Sequence, residues 1–475
     1  MTHELIALGP RGIAAEIRAR RMSAREVAQA FLSRVDEAAE LNAVAFIDAD
    51  SVLRMADSAD DRASAGDGAP LLGVPFTVKD SIAVRGWPWR SGSFAREHVI
   101  AEDDATAVAR LRALGAIPLC KTTTPEYTWS AQTSSALHGY TNNPYDLARS
   151  AGGSSGGEAA LHAVGAAPFG LGTDGLNSIR VPAHFCGTAG LRPTAGIVSE
   201  AGSWPLTRTT GLLDISTTGP MAPHARALGD VLLAIAGVDA ADPFAHAFAP
   251  SALPPTSARG LRVGVLPEHA VGPVSPGTRT ALIEAASALA AAGATVIEVA
   301  PWRTDDAVDL AFRLMAPDGG ARARANLAAA GGRHSEEFAG LLDSLGARRL
   351  TIEEYLSAVQ EWSDRRRAVR ESLQAATVTL APVASGAAPL HDRLPGADEE
   401  ASSVEAFNHS FVIAMAGVPS AVVPIAMEGH LPVGIQIIGS PHADLSVAAV
   451  AVVLQDHFAT SIPKPTAWKQ PKEAL

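Results

Sequence analysis

Three segments between residues 79 and 194 hold the side chains best suited to chemistry. Lys79 closes the run GVPFTVKDS. Behind Phe76, Thr77 and Val78 its amine is partly desolvated, which lowers its pKa and favours a neutral, proton-accepting form. The plainer alternative is a solvated lysine at a strand end. The second segment, AGGSSGGEAA at 151–160, sets Ser154 and Ser155 among four glycines. So many glycines mark unusual backbone angles or close approach, and the amides of the following helix point back at the serines. A flexible glycine loop is the alternative. The third segment, GLGTDGLNSIRVPAHFCG at 170–187, places Ser178 after a tight turn with Arg180 close behind. A serine hydroxyl near its free pKa is a poor nucleophile and needs an adjacent base. No well-placed Ser-His-Asp set is present, so attention turns to a serine activated by lysine.

Other patterns in the same stretch carry less. G-x-S-x-G about Ser154 lacks the buried strand that a nucleophile elbow requires before it. G-x-G-x-x-G at Gly170, Gly172 and Gly175 runs into Pro182, and Glu200 sits in a loop, so the two halves of a dinucleotide site are missing. There is no H-E-x-x-H and no C-x-x-C. His138, His162 and His184 read as packed or surface residues, so no metal and no cofactor are expected.

The elements that must position these residues read as α/β. The chain has 475 residues, 47% of them apolar and 19% charged. That is enough for a large buried core and excludes a mainly disordered state. Thirty-eight basic against 50 acidic residues leave −12, a poor match to a phosphate backbone. Nucleic acid is therefore not an expected partner. Two cysteines, Cys120 and Cys186, point to a reducing compartment. The N-terminus lacks the order of a signal peptide. Apolar stretches such as Phe411 to Val418 fall short of the roughly 20 residues of a membrane span. A soluble, cytoplasmic protein without a membrane partner is the expectation.

Helical spacing runs through residues 11–40, with Ser23 and Glu26 forming a capping box. Leu71 to Val78, Ala116 to Leu119 and Ala167 to Leu171 read as strands. Ala105 to Leu114 and Glu158 to Ala166 read as helices. The polar stretch 121–157 is irregular, and so long an irregular segment is usually functional. Further on, Leu261 to Leu266, Thr278 to Ala291 and Ala294 to Val299 form a strand–helix–strand unit with Gly293 at the helix exit. Residues 317–350 are helix or loop, and Ile352 to Ala375 is a long charged helix. Val378 to Ala381, Ala421 to Ile425 and Val433 to Ile438 are apolar strands.

Taken together, the segments GVPFTVKDSIAVRGW, CKTTTPEYTWS, GYTNNPYDLARSAGGSSGGEAA, GTDGLNSIRVPAHFCGTAGLRPT, TTGPMAPHARALGD and NHSFVIAMAGVPSAVVPIAMEGHLPVGIQIIG resemble, in order, the motifs of the amidase signature family. The resemblance covers most of residues 10–455. It implies a large mixed central β-sheet of about eleven strands covered by helices on both faces. It also implies one amidase domain over 1–475, with a signature core at 60–225, a variable α/β region at 255–375 and a return to the core at 376–460. Residue by residue, Ser178 matches the nucleophile, Ser154 the bridging serine held by a cis peptide, and Lys79 the general base. The backbone amides of Gly175, Leu176, Asn177 and Ser178 match the oxyanion hole, and Thr128 a substrate-contacting position. Asp174 and Arg180 are expected to form an ion pair that fixes the turn.

Leu176-Asn177 departs from the Gly-Gly usual in the family. Because glycine permits positive φ, this predicts a rearranged turn or a reshaped pocket. Phe76, Trp87, Trp89, Tyr127, Trp129, Trp204 and Phe312 are candidates for an apolar pocket wall. The implied activity is hydrolysis of a neutral, fairly hydrophobic aryl amide, with ester or carbamate (urethane) cleavage by the same acyl chemistry, in a monomer or homodimer. One alternative is the glutamine-hydrolysing subunit of an amidotransferase, which normally carries Gln where this chain has Val181. Another is a non-catalytic binding protein retaining the fold, disfavoured because all three catalytic positions are filled.

Overall fold

Runs of four to nine residues, too short for buried helices, form most strands of the main sheet. The computed structural model describes residues 2–205, 215–248, 253–254, 256–394 and 403–465. Its strands are β1 (Val44–Phe46), β2 (Pro75–Lys79), β3 (Ile117–Thr122), β4 (Ser134–Ser135), β5 (Gly139–Tyr140), β6 (Asn142–Asn143), β7 (Asp146–Ser150), β8 (Gly170–Asp174), β9 (Ala189–Arg192), β10 (Thr217–Ala222), β11 (Arg262–Val265), β12 (Thr295–Glu298), β13 (Val378–Pro382), β14 (Ser420–Glu428) and β15 (Leu431–Ile438). Eleven of them make one mixed sheet in the order β1-β3-β2-β8-β10-β9-β14-β15-β13-β11-β12. Every residue of β2, β3, β8, β9, β10, β13 and β15 is buried. Strands buried on both sides require cover on both faces of the sheet, and helices supply it.

The sheet positions the chemistry through three neighbouring parallel strands. β2 pairs in parallel with β3 on one side and with β8 on the other. All three therefore end at the same edge, where Lys79, Thr122 and Asp174 stand. Open α/β sheets place ligands at such carboxyl ends. The helices Gly156–Ala163 and Arg180–Cys186 start beside this edge and pack against each other.

The element pattern read from the sequence holds, with shifted boundaries. The strand expected from Leu71 begins at Pro75, because Gly73 (φ +75°) turns the chain against Ala24. The strand expected at Ala167 begins at Gly170, after Pro168, which has no N–H to pair. Residues 121–157 are less irregular than expected, since β4–β5 and β6–β7 form two small antiparallel pairs within them. The capping box at Ser23 and Glu26 is present, and Gly293 leaves its helix at φ +96°.

A smaller hydrophobic cluster lies outside the main core. Tyr127 meets Ala323, Leu327, Phe338 and Leu342 there. It joins the helices Ala321–Leu327 and Glu336–Gly346, from the expected variable region, to the signature core. No helix among the described residues is long and apolar enough to cross a membrane.

Candidate active site

Lys79 is fully buried at the end of β2. Its Nζ lies 2.6 Å from Ser154 Oγ, 2.8 Å from Thr173 Oγ1 and 3.5 Å from the Thr173 carbonyl. Burial pulls its pKa down to about 7, against the opposing pull of the Asp174, Glu158 and Glu200 carboxylates. A neutral amine has two N–H donors and one lone pair. Three oxygens surround it, the hydroxyl and carbonyl of Thr173 and the hydroxyl of Ser154, enough partners for two donors and one lone pair. The solvated strand-end alternative is thereby excluded. Thr173 went unnoticed in the sequence, where a threonine inside GTD gives no signal of its own.

Glu158, on the helix Gly156–Ala163, is buried against β2 and β3. Its carboxylate accepts from Thr77 Oγ1 and from Thr122 Oγ1 (2.8 Å). Burial raises its pKa to about 7, opposed by the two hydroxyls and by Lys79 and Lys121.

The glycine segment is packed rather than loose, and residues 151–160 are all buried. Gly152 has φ +78°, and a Cβ there would stand 2.9 Å from Pro182 Cα. Thr133 Oγ1 donates to the Gly152 carbonyl (2.8 Å) and accepts from Gly156 N (3.0 Å). The Gly153–Ser154 peptide is cis. Thr124 Oγ1 donates to the Ser154 carbonyl at 2.9 Å. This frame leaves Ser154 1% exposed, with its hydroxyl on Lys79.

Ser178 stands on the turn between β8 and the helix Arg180–Cys186. Asp174 organises that turn. Its Oδ2 accepts from Ile179 N (3.1 Å) and Arg180 Nε (3.0 Å), and its Oδ1 from Arg180 Nη2 (3.1 Å). Arg180 Nη2 also donates to the Leu176 carbonyl. Arg180 Nη1 reaches the Ser410 carbonyl and Gln436 Oε1, both at 2.9 Å. Burial alone would raise the Asp174 pKa, but Arg180 and Arg192 outweigh it and hold the carboxyl below its ordinary range. The expected Asp174–Arg180 ion pair is thus present, at 3.0 Å.

The turn does not need the left-handed backbone expected from glycine. Neither Leu176 nor Asn177 belongs to the described residues with positive φ. The side chain of Asp174, rather than backbone freedom, shapes the turn. The backbone amides of Leu176, Asn177 and Ser178 have no hydrogen-bond acceptor among the described residues. The Ser178 carbonyl accepts from Ser155 N at 3.0 Å, which ties the two serine segments together. Ser178 Oγ makes no hydrogen bond to Ser154 Oγ or to any other described residue. Catalytic hydrogen bonds in free enzymes are often long and tighten with substrate.

Both serines open onto a cavity of about 820 Å³, lined also by Thr128, Thr173, Gly175, Leu176 and Asn177. Of the seven aromatic candidates, Trp129, Trp204 and Phe312 line it. The other four do not. Phe76 stacks on Phe169 at 5.5 Å in the core, and Trp87 meets Phe46 edge-on at 5.5 Å. Trp89 lies behind Trp204, with the Arg96 guanidinium 4.3 Å and 4.7 Å from the two rings. Tyr127 buttresses Trp129 and Trp204 edge-to-face and accepts a hydrogen bond from Asn326 Nδ2 (2.7 Å). Met315, Phe338, Leu341 and Phe411 also belong to the apolar wall and were not singled out. Apolar residues in a helical region carry no sequence mark that separates a pocket wall from a core.

The wall also holds carboxylates, among them Glu126 and Glu337. Glu126 accepts from Ser335 N (2.7 Å) and pairs with His334 Nδ1 (2.9 Å). Glu337 accepts from Ser130 Oγ (2.7 Å) and Ser134 Oγ (3.2 Å). These bonds fasten the helical roof to the signature core. His162 and His184 are buried and hydrogen-bonded, and His138 is half-buried. No group of three or more His, Cys, Asp or Glu among the described residues is placed to hold a metal ion.

A serine, a buried neutral-capable lysine and unengaged amides on one cavity are the parts of an acyl-transfer site. Comparison with known proteins agrees on the class. Residues 26–447 match the family model described as Amidase, and the chain belongs to this amidase signature family. It is an enzyme of the class that cleaves C–N bonds. Curated relatives include a glutamyl-tRNA(Gln) amidotransferase subunit of Thermus thermophilus, 34% identical over 482 residues that cover 94% of this chain and 97% of that protein. The corresponding protein of Ralstonia nicotianae is 31% identical, with 93% and 96% covered. Among solved structures, a peptide amidase in complex with chymostatin superposes with TM-score 0.80 at 27% identity, covering 96% and 98%. A bacterial aryl acylamidase shares the fold, with TM-score 0.86 at 24% identity and 98% and 99% covered.

Proposed function

We propose that this chain is a serine amidohydrolase for a bulky, largely apolar amide such as an aryl amide, working through Lys79, Ser154 and Ser178. The carrying observation is the 820 Å³ cavity with Trp129, Trp204, Phe312 and Phe338 on its wall, open to both serines. Pockets of this size enclose a drug-sized ligand, and a lone amino acid would fill a small part of it. Neutral Lys79 accepts the proton of Ser154, which takes that of Ser178 as Ser178 Oγ attacks the carbonyl. The tetrahedral oxyanion is received by the amides of Gly175, Leu176, Asn177 and Ser178. Collapse returns the proton through Ser154 to the departing amine and leaves an acyl-serine. Water, deprotonated by the same relay, then releases the acid. The machinery reads a trigonal carbonyl, so esters and carbamates fall within its scope. No metal or cofactor enters these steps, and the chain acts as one amidase domain.

A second reading has its own support: the relatives named above are amidotransferase subunits. In that reading the substrate is glutamine, and a partner protein receives the ammonia. Val181, in place of the usual Gln, weighs against it. The test is to supply the purified chain with 4-nitroanilides of increasing acyl size and, separately, with glutamine. Anilide turnover without ammonia from glutamine is expected. Ammonia from glutamine with no anilide cleavage would reverse the assignment.

A further inference from the structure

Asn177 precedes Ser178 directly, so its side chain departs about 3.8 Å along the chain from the nucleophile's Cα. It lines the cavity and is 4% exposed. Its backbone is pinned: the carbonyl accepts from Val181 N at 2.9 Å, and Arg180 holds the Leu176 carbonyl beside it. Yet its Nδ2 is buried with no hydrogen-bond partner. A buried donor left unmade is costly, and an acceptor brought by a ligand recovers that cost. Rotation about χ2, which is broad for asparagine, presents the amide to the cavity without moving the turn. Its neighbour Leu176 offers only apolar surface to the same space.

Building on the amidohydrolase reading, we propose that the Asn177 side-chain amide is a specificity-determining donor for a second acceptor bonded to the scissile carbonyl, the alkoxy oxygen of a carbamate. The carbonyl oxygen is already served by backbone amides. The atom beside it on the acyl side is where a side chain one residue before Ser178 can reach. An amide has CH₂ at this place and leaves the donor unmade, whereas a carbamate has oxygen and satisfies it.

The test uses a pair of substrates that differ in that atom alone, ethyl N-(4-nitrophenyl)carbamate and 4-nitrobutyranilide. Their kcat/KM ratio cancels effects common to both. Asn177→Leu, which keeps volume and removes the donor, and Asn177→Gly, which removes the side chain, are each expected to lower the carbamate-to-anilide ratio roughly 5- to 10-fold. A ratio unchanged within about twofold in either folded variant overturns the inference while leaving the amidohydrolase reading intact. Wild-type protein that cleaves neither substrate overturns both.

Discussion

The edge where β2, β3 and β8 end and the helical roof over it are held by different physics. At the sheet edge, charged groups are fully buried and each is matched: Asp174 by Arg180 and Arg192, Lys79 by Thr173 and Ser154, Glu158 by two threonines. In the roof, a small apolar cluster and a few bonds, such as Glu126 to His334 and Glu337 to Ser130, hold two short helices to the core. Buried networks are intolerant of losing one partner, because the remaining charge or dipole is stranded in low dielectric. Exposed contacts such as Glu337 to Ser130 lose little. The edge is therefore built to fix geometry, and in the proposed reading the roof selects what enters.

Substitutions should divide along that line. Lys79→Ala removes the proposed base and is expected to slow acyl-enzyme formation by about 10² to 10⁴. Burst kinetics on an activated anilide would read it, with circular dichroism showing a retained fold; wild-type turnover would refute the role. Asp174→Asn strands Arg180 and Arg192 and is expected to cost about 3–5 kcal/mol by denaturant unfolding. A change below about 1 kcal/mol would mean the turn does not depend on that pair. Phe338→Ala opens the roof. It should raise KM for a bulky anilide roughly tenfold and leave a nitroacetanilide nearly unaffected. Equal effects on both substrates would place Phe338 in stability rather than selection. Glu337→Gln weakens the clasp to Ser130 and Ser134, and a loss of no more than about 1 kcal/mol is expected from its thermal midpoint.

The same division explains what the sequence made legible. Lys79 after an apolar run, the glycines around Ser154 and the Asp174–Arg180 spacing follow from local rules, and the structure brings those residues to one edge. The roof does not follow from such rules. Met315, Phe338 and Leu341 sit on amphipathic helices whose apolar faces look alike whether they meet a core or a cavity. Phe76 erred in the other direction, since alternation in a strand buried on both faces does not say which side faces a ligand, and Trp87, in a loop, packs on Phe46 instead. Leu176-Asn177 in place of Gly-Gly predicts a rearranged turn or a reshaped pocket; neither residue has positive φ, and the side chain of Asp174 braces the turn through Ile179 N and Arg180, which backbone preference alone does not reveal.

The protonation state of Lys79 carries the proposed mechanism, and its pH dependence has a definite sign. Its pKa lies near 7 in the folded protein against 10.5 for the ordinary amine. Between those values the unfolded chain binds more protons, so this group's contribution to stability improves as pH rises from about 7 to 10.5 and is constant below. Facing it are Asp174, Glu158 and Glu200, whose charges favour its protonated form. The most direct measurement is the pH profile of acyl-enzyme formation, read as the nitroaniline burst in wild type and in Lys79→Ala. A wild-type rate that climbs with a midpoint near pH 7, beside a slow and flat variant, is the predicted result. A wild-type rate independent of pH through that range, or a variant that keeps the wild-type profile, would contradict a neutral lysine as the base.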